Sequence, residues 1–215
     1  MKPNITNTSQ SLILNSYYGY SCNDKNRLHK NREIEQRYCV HDLMDIINGI
    51  SKTLNTKILH TSQHSFNPSG TSLSSIIESD DVIFGASGVA HLNESHISFH
   101  SYFENSINNI IILRLELHVS SCSRKNVYSI LDNLVNNNLF NNYDALTLDF
   151  FHRGINLEQL EGDQQILNLF FKNHLKDFDL EADDSFESFK HYKLIKKKEK
   201  INVPEFASYL SQYLV

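Results

Sequence analysis

The clearest pattern along the chain is a strict alternation of apolar and polar residues near its middle. The alternating residues are Leu113, Arg114, Leu115, Glu116, Leu117, His118, Val119 and Ser120. A period of two residues places the apolar set on one face of a β-strand and the polar set on the other. Other apolar or alternating runs predict strands at residues 12–20, 57–66, 71–78, 82–84, 95–102 and 143–151.

Other segments repeat their apolar residues at helical spacing. Between Val40 and Leu54 these residues recur every three or four positions, as on the buried side of an amphipathic helix. Helices are also predicted at residues 124–140 and 157–175, and residues 205–214 form a short amphipathic segment. Runs of strands with separated helices favour an α+β fold over repeated βαβ units. We therefore expect one α+β domain over residues 1–215.

Charge and cysteine content restrict the function class. The formal net charge of −5 argues against a nucleic-acid-binding protein, and the basic run at residues 193–200 is expected to be a solvated surface segment. Residues 1–12 contain no apolar signal segment, and no run of 18 apolar residues predicts a membrane span. Three widely spaced cysteines match neither a disulfide framework nor a zinc pattern. We expect a reduced, cytoplasmic protein that binds neither membranes nor nucleic acid.

Three segments combine residues that can carry chemistry. They are HSFNPSGTS at residues 64–72, VAHLNESHISFHSYFE at residues 89–104 and Ser-Ser-Cys at residues 120–122. His96 and His100 are four residues apart, a spacing at which a helix could present two metal ligands. The residues between them alternate with a period of two, which favours a strand, so no metal site is assigned here.

The order of these motifs resembles that of prokaryotic S-adenosylmethionine decarboxylase proenzymes. The processing site of that family is similar to residues 94–104, where an ionisable residue, Ser-His-Ile, a second His and a Glu follow one another. Residues 66–72 resemble the family's upstream turn, and residues 114–122 resemble the strand that ends in its catalytic cysteine. Residues 89–92 and 146–154 are similar to the enterobacterial-type subclass. The resemblance covers residues 57–154.

This resemblance implies an antiparallel sheet with helices packed on one face. It also implies that the chain cleaves itself between Glu94 and Ser95 into a β chain (1–94) and an α chain (95–215). The processed enzyme would decarboxylate S-adenosylmethionine to the aminopropyl donor of spermidine synthesis. The family further implies a homo-oligomer of processed units and magnesium as an activator, although no residue pattern here identifies a magnesium site.

For processing, the resemblance assigns roles to four residues. The Ser95 hydroxyl would attack the carbonyl of Glu94, and Ser95 would become a pyruvoyl group, which the protein then uses as its own cofactor. His100 matches the base that assists this step, and Ser72 matches a residue that supports it by hydrogen bonding. Ser95 and His100 are five residues apart and belong to opposite faces of a regular strand. Processing therefore requires a strained backbone around Glu94-Ser95.

For turnover, the resemblance assigns the new pyruvoyl group at position 95 to a Schiff base with the substrate amine. Cys122 matches the donor that returns a proton to the substrate carbon. Glu104 matches a residue that accepts hydrogen bonds from the ribose hydroxyls, and Phe66 matches an aromatic that stacks on adenine.

Two departures from the family pattern leave alternatives open. Phe103 stands where the family has Pro, and Ser123 stands where it commonly has Gly. Both changes lie on the side of substrate recognition. A pyruvoyl-dependent ornithine or arginine decarboxylase on the same scaffold is therefore an alternative. A non-catalytic paralogue subunit is disfavoured because Ser95 and Cys122 are both present.

Overall fold

The structure is a computed structural model, and it describes most of the chain. The described residues are 9–37, 40–54, 58–60, 64–65, 71–73, 86–92, 95–104, 109–122, 126–135, 141–154, 157–186 and 189–214. Ser72 and Ser95 are among those described by their backbone only. The predicted site residues Phe66 and Glu94 lie outside the described residues, as does the predicted strand at 82–84.

Ten strands and five α-helices are present in the described part of the chain. The strands are β1 (Ser9–Ser21), β2 (Ile58–His60), β3 (His64–Ser65), β4 (Thr71–Leu73), β5 (Ala86–Leu92), β6 (Ser95–Glu104), β7 (Ile110–Ser121), β8 (Ala145–Arg153), β9 (Phe178–Phe186) and β10 (Phe189–Lys196). The helices are α1 (Arg27–Arg37), α2 (Val40–Thr53), α3 (Leu131–Val135), α4 (Leu157–His174) and α5 (Pro204–Tyr213). Two 3₁₀ helices occur at Val127–Ile130 and Lys198–Lys200.

All ten strands belong to one sheet, in which β1 is central. The order is β3-β4-β5-β6-β7-β1-β8-β10-β9, with β2 paired to β5. Every pair is antiparallel except β4 with β5. The sheet confirms the expected α+β class.

One face of the sheet carries the main core. Along β7, Leu115 and Leu117 are fully buried, because every second residue is apolar and points to the same side. The core also includes the apolar stripes of α2 and α4 and part of α1 and α3. This helix-covered face confirms the expectation that helices pack on one side of the sheet.

The opposite face, which we call the open face, carries the polar positions of β6 and β7. One corner of it is covered by α5, which packs Phe206 and Leu210 against Ile112 and Ala145. The contact is close: a Cβ built on Gly19 would lie 2.4 Å from Cδ1 of Phe206. A residue larger than glycine at position 19 would require the Phe206 side chain to shift.

Several segments differ from the sequence expectation. The helix expected at residues 124–140 begins as the 3₁₀ helix at Val127, and residues 136–140 lie outside the described part. The polar helix α1 and the hairpin β9–β10 have too little apolar periodicity to be predicted from the sequence. Among the described residues, no helix is both long enough and apolar enough to cross a membrane.

The basic run at residues 193–200 is exposed over residues 198–200, as expected, but the expectation of a solvated segment was wrong for its first residues. It begins in β10, where Lys193 is 8% exposed and lies 2.6 Å from the Glu181 carboxylate. Lys196 lies 3.3 Å from the buried carboxylate of Asp144. Strand pairing buries the aliphatic stems of these lysines, and acidic neighbours then compensate their charges.

Candidate active site

The proposed processing serine and proton donor lie at the same end of two neighbouring strands. Ser95 is the first residue of β6 and pairs with Leu92 on one side and with Ser121 on the other. Cys122 follows Ser121 directly, and its free thiol belongs to an exposed residue. Because Leu92 pairs with Ser95, the predicted cleavage site lies at the short connection between β5 and β6.

The proposed processing base lies farther along the same strand. His100 pairs with Ser87 of β5 and Glu116 of β7, and Ser87 pairs in turn with Ser72 of β4. His100 and Ser72 therefore share one row across the sheet, with a strand between them. The His100 ring stacks on Tyr102, with ring centroids 5.7 Å apart.

The described strand does not bring Ser95 and His100 together. Five residues of regular antiparallel strand span about 17 Å, and the ladder from Ser95 to Glu104 has no irregularity. A direct action of His100 on the cleavage site requires a different arrangement of the chain before or around Ser95. The role of His100 stays a prediction.

Glu104 is not an isolated carboxylate, because Arg114 holds it from the neighbouring strand. The Arg114 Nε donates to Oε1 of Glu104 at 2.8 Å, and its Nη1 donates to Glu116 at 2.8 Å and to Asn15 at 3.2 Å. The guanidinium also lies over the Tyr102 ring, 4.1 Å from its centroid. We call Glu104, Arg114, Glu116 and Asn15 the Arg114 cluster.

Electrostatics within the Arg114 cluster stabilise the positive charge of Arg114. Burial alone would lower the pKa of Arg114, but the hydrogen bond and charge of Glu104 outweigh it and raise that pKa. Burial raises the pKa of Tyr102, and the charge of Glu116 acts in the same direction. Two carboxylates around one guanidinium leave a formal excess of one negative charge, which favours a cationic or hydroxyl-rich ligand over an anion.

The substitution at position 103 does not place a ring beside Glu104. Phe103 packs against the main core on the helix-covered face, whereas Glu104 joins the Arg114 cluster on the open face. The ring of Phe103 therefore does not add bulk to the face that carries Glu104.

Sequence reasoning missed a second polar cluster, which is buried on the helix-covered face. Asp163 of α4 is 3% exposed; its Oδ2 accepts from Nε2 of Gln10 at 3.4 Å, and its Oδ1 accepts from Nδ2 of Asn126. We call Gln10, Asn126 and Asp163 the carboxylate clamp. One signal was present in the sequence: Asp163 stands four and seven residues before the buried Leu167 and Phe170, on the apolar stripe of the helix.

Two further buried groups lie beside the carboxylate clamp. The Tyr128 hydroxyl lies 2.5 Å from Nε2 of His152, whose Nδ1 is 3.8 Å from Oδ2 of Asp163. Burial raises the pKa of Asp163 to about 6, against a smaller lowering by Lys190. Burial also lowers the pKa of His152, and Lys190 adds to that effect. The environment therefore favours the neutral form of both groups.

Comparison with known proteins gives distant but consistent similarities. No protein-family model matches the chain. The chain is 27% identical over 162 residues to an S-adenosylmethionine decarboxylase proenzyme of Hahella chejuensis, and 25% identical over 167 residues to one of Clostridium perfringens. Each match covers 69% of this chain and 60% of the relative, so the chain spans about three fifths of these relatives' length.

One longer match and one solved structure are also similar to the chain. The chain is 23% identical over 215 residues to an S-adenosylmethionine decarboxylase proenzyme of Xanthomonas euvesicatoria, covering 81% of this chain and 80% of the relative. The crystal structure of the adenosylmethionine decarboxylase of Aquifex aeolicus aligns with a TM-score of 0.36 and 18% identity, over 71% of this chain and 95% of that one. These relatives do not single out the enterobacterial-type subclass.

Proposed function

We propose that this chain is a self-processing, pyruvoyl-dependent decarboxylase that acts on S-adenosylmethionine. The observation that carries the proposal is the pairing of Ser95 with Ser121, which places the cleavage serine beside the residue that precedes Cys122. The similarity to proteins named S-adenosylmethionine decarboxylase proenzyme supports the same activity. Adjacent strand ends fit a site in which one group is generated from Ser95 and a thiol acts next to it.

The proposed chemistry divides between the two strand ends. A pyruvoyl group at position 95 would supply the electron sink that stabilises charge as carbon dioxide leaves. The thiol of Cys122 would hold the proton that returns to the substrate carbon. His100 would take a proton during processing, which requires the chain at Glu94-Ser95 to approach it before cleavage.

Glu104 would bind the ribose of the substrate. A carboxylate that accepts hydrogen bonds from two hydroxyls gives strong, directional contacts. Because Arg114 already occupies one carboxylate oxygen, Arg114 would fix the orientation of Glu104 and leave the other oxygen to the ligand. The adenine contact assigned to Phe66 stays a prediction, since that residue lies outside the described part.

A second candidate is a pyruvoyl-dependent ornithine or arginine decarboxylase. The specific observation in its favour is the same ion pair, because a Glu104 used to neutralise Arg114 need not hold a ribose. The negative excess of the Arg114 cluster would also suit the side-chain cation of either amino acid.

Magnesium and self-association have weaker support. In the described ranges, no group of three or more His, Cys, Asp or Glu side chains is placed to hold a metal ion. Magnesium as an activator stays a prediction. A homo-oligomer of processed units stays a prediction.

One experiment tests the proposal. The purified chain is incubated alone and analysed by intact mass, then assayed for carbon dioxide and amine product with S-adenosylmethionine, ornithine and arginine in parallel. We expect fragments corresponding to residues 1–94 and 95–215, and product from S-adenosylmethionine only. Full-length protein with an ordinary serine at position 95 would contradict self-processing, whereas product from ornithine or arginine alone would select the second candidate.

A further inference from the structure

The chain around Cys122 is held on both sides by one buried glutamine. Ser121, which precedes Cys122, is 1% exposed and pairs with Gln10 of β1. On the far side, the N–H of Val127 donates to Oε1 of the same Gln10 at 3.1 Å. The backbone and side chain of Gln10 thus contact the two ends of the short segment that contains Cys122.

Asp163 fastens the same segment from helix α4. One carboxylate oxygen accepts from Gln10, and the other accepts from the side chain of Asn126, the residue before Val127. The Oδ1 of Asn126 in turn accepts from the Tyr128 N–H at 2.8 Å. The side-chain amides of Gln10 and Asn126 therefore each donate one hydrogen bond and accept another, and both carboxylate oxygens of Asp163 accept one.

Burying such a polar cluster costs solvation free energy, which a site that only fills space would not require. A carboxylate removed from water loses solvation that hydrogen bonds only partly replace, and apolar side chains of similar volume stabilise such sites as well or better. The hydrogen bonds of the carboxylate clamp are directional, so they fix the position of the chain at Asn126 and Val127. The segment that it fixes carries the thiol assigned to proton return.

We propose that Gln10, Asn126 and Asp163 are positioning residues, which hold the chain at Ser121 and at residues 126–127, on either side of Cys122, so that the Cys122 thiol lies beside position 95. The inference rests on the proposed function, because it gives the thiol its role. The clamp does not touch the substrate; it acts through the backbone on either side of Cys122. A displacement of about 1 Å in a reacting group can lower a rate by about a hundredfold, so a small loosening of this segment should reduce turnover.

The test compares two clamp variants with a matched control. Gln10→Met keeps the side-chain length and removes both amide contacts, and Asp163→Asn replaces one of the two acceptors by a donor. The control, Tyr128→Phe, also deletes a buried hydrogen bond, to His152, but leaves the clamp intact. Each protein is analysed for self-cleavage, thermal unfolding, kcat and KM with S-adenosylmethionine, and the rate at which iodoacetamide modifies Cys122, measured by peptide mass with the buried Cys22 as internal reference.

We expect both clamp variants to fold and cleave, to lose at least roughly tenfold in kcat with KM changed less than about threefold, and to change the Cys122 modification rate at least about threefold. Tyr128→Phe should match the wild type in both rates. Folded clamp variants with wild-type kcat and thiol reactivity would overturn the inference, as would an equal loss of kcat in Tyr128→Phe. If the wild type neither cleaves nor decarboxylates, the proposed function fails instead, and an unchanged thiol reactivity would still refute the clamp's hold on Cys122.

Discussion

The two polar clusters of this sheet lie on opposite faces and use charge differently. The Arg114 cluster is half-exposed, and its Arg114 side chain is 23% accessible while Glu104 is 37% accessible. The carboxylate clamp is buried under helices, with the Asp163 side chain 5% accessible. In the first, the hydrogen bond and charge of Glu104 raise the pKa of Arg114; in the second, burial raises the pKa of Asp163 and lowers that of His152.

This difference in exposure suits the two clusters to different functions around the proposed site. A half-exposed cluster can exchange its internal contacts for contacts with a ligand at small cost, because water already competes for them. A buried cluster cannot do so, since each lost partner leaves an unsatisfied group. The Arg114 cluster is therefore suited to recognition and the clamp to positioning. The following predictions separate these two functions from each other and from the chemistry at Ser95.

The largest effect is expected at Ser95, the proposed cleavage serine. Ser95→Ala removes the hydroxyl proposed to attack the preceding carbonyl, so self-cleavage should stop completely, as measured by intact mass. Ser98→Ala is the matched control in the same strand and should cleave normally. Cleavage of the Ser95 variant between residues 94 and 95 would show that another group performs the attack.

The second prediction separates processing from turnover. Cys122→Ala should cleave like the wild type and lose about a hundredfold or more in kcat, the usual contribution of a positioned proton donor. Cys22→Ala serves as the cysteine control and should retain turnover when folded. Near-wild-type kcat in the Cys122 variant would mean that another group returns the proton to the substrate carbon. The carboxylate clamp would then have no catalytic thiol to position.

The third prediction tests recognition by the Arg114 cluster. Glu104→Gln should lower kcat/KM for S-adenosylmethionine by roughly tenfold, because one charge-assisted contact to ribose is weakened, while cleavage at Ser95 continues. Glu116→Gln removes the other carboxylate of the cluster without touching the assigned ribose ligand. A clear excess of the Glu104 effect over the Glu116 effect indicates a direct contact. Equal effects would assign both to the charge balance around Arg114.

The smallest effect is expected in the pH dependence of stability. The pKa of Asp163 lies at about 6 in the folded chain, above its ordinary value of 3.8. Its contribution to stability is therefore fully present below about pH 4 and is lost as the pH rises through about 6. The Asp163→Asn variant lacks this loss, so its Tm relative to the wild type should rise by a few degrees, on the order expected for 1–2 kcal/mol, between pH 4 and pH 7.

Thermal melts of both proteins at intervals of half a pH unit measure this difference. Because His152 lies 3.8 Å from Asp163 and has the opposite trend, with stability lost as the pH falls through its lowered pKa, the same melts are repeated with His152→Gln in both proteins. A constant difference in Tm across the range would mean that burial does not shift the ionisation of Asp163.

Much of the sheet was predictable because its strands alternate cleanly. The pattern from Leu113 to Ser120 specified both faces of β7, and with them the side of the sheet on which Arg114 and Glu116 lie. It could not specify partners: the pairing of Arg114 with Glu104 depends on the register between β6 and β7. The role of Asp163 could not be predicted, because its carboxylate on the apolar stripe of the helix is hydrogen-bonded by Gln10, which lies 153 residues away in the sequence.

The candidate residues came from the resemblance to S-adenosylmethionine decarboxylase proenzymes, and the strand register shows which residues lie next to them. The adjacency of Ser95 and Ser121 follows from the ladder and gives the assignment of Cys122 a spatial basis. The separation of Ser95 from His100 was expected from their odd spacing, and the regular ladder retains it. Local backbone geometry at a cleavage site depends on strain that no residue pattern encodes.

The central place of β1 has a consequence for what a cut at position 94 would produce. β1 lies between β7 and β8, paired with the former over residues 10–21 and with the latter over residues 9–17. The two product chains would therefore be interleaved, with the first strand of one clasped between two strands of the other. The two chains should elute together on gel filtration in native buffer and separate only on denaturation. Cleavage would then create a new chain end without dissociating the folded protein.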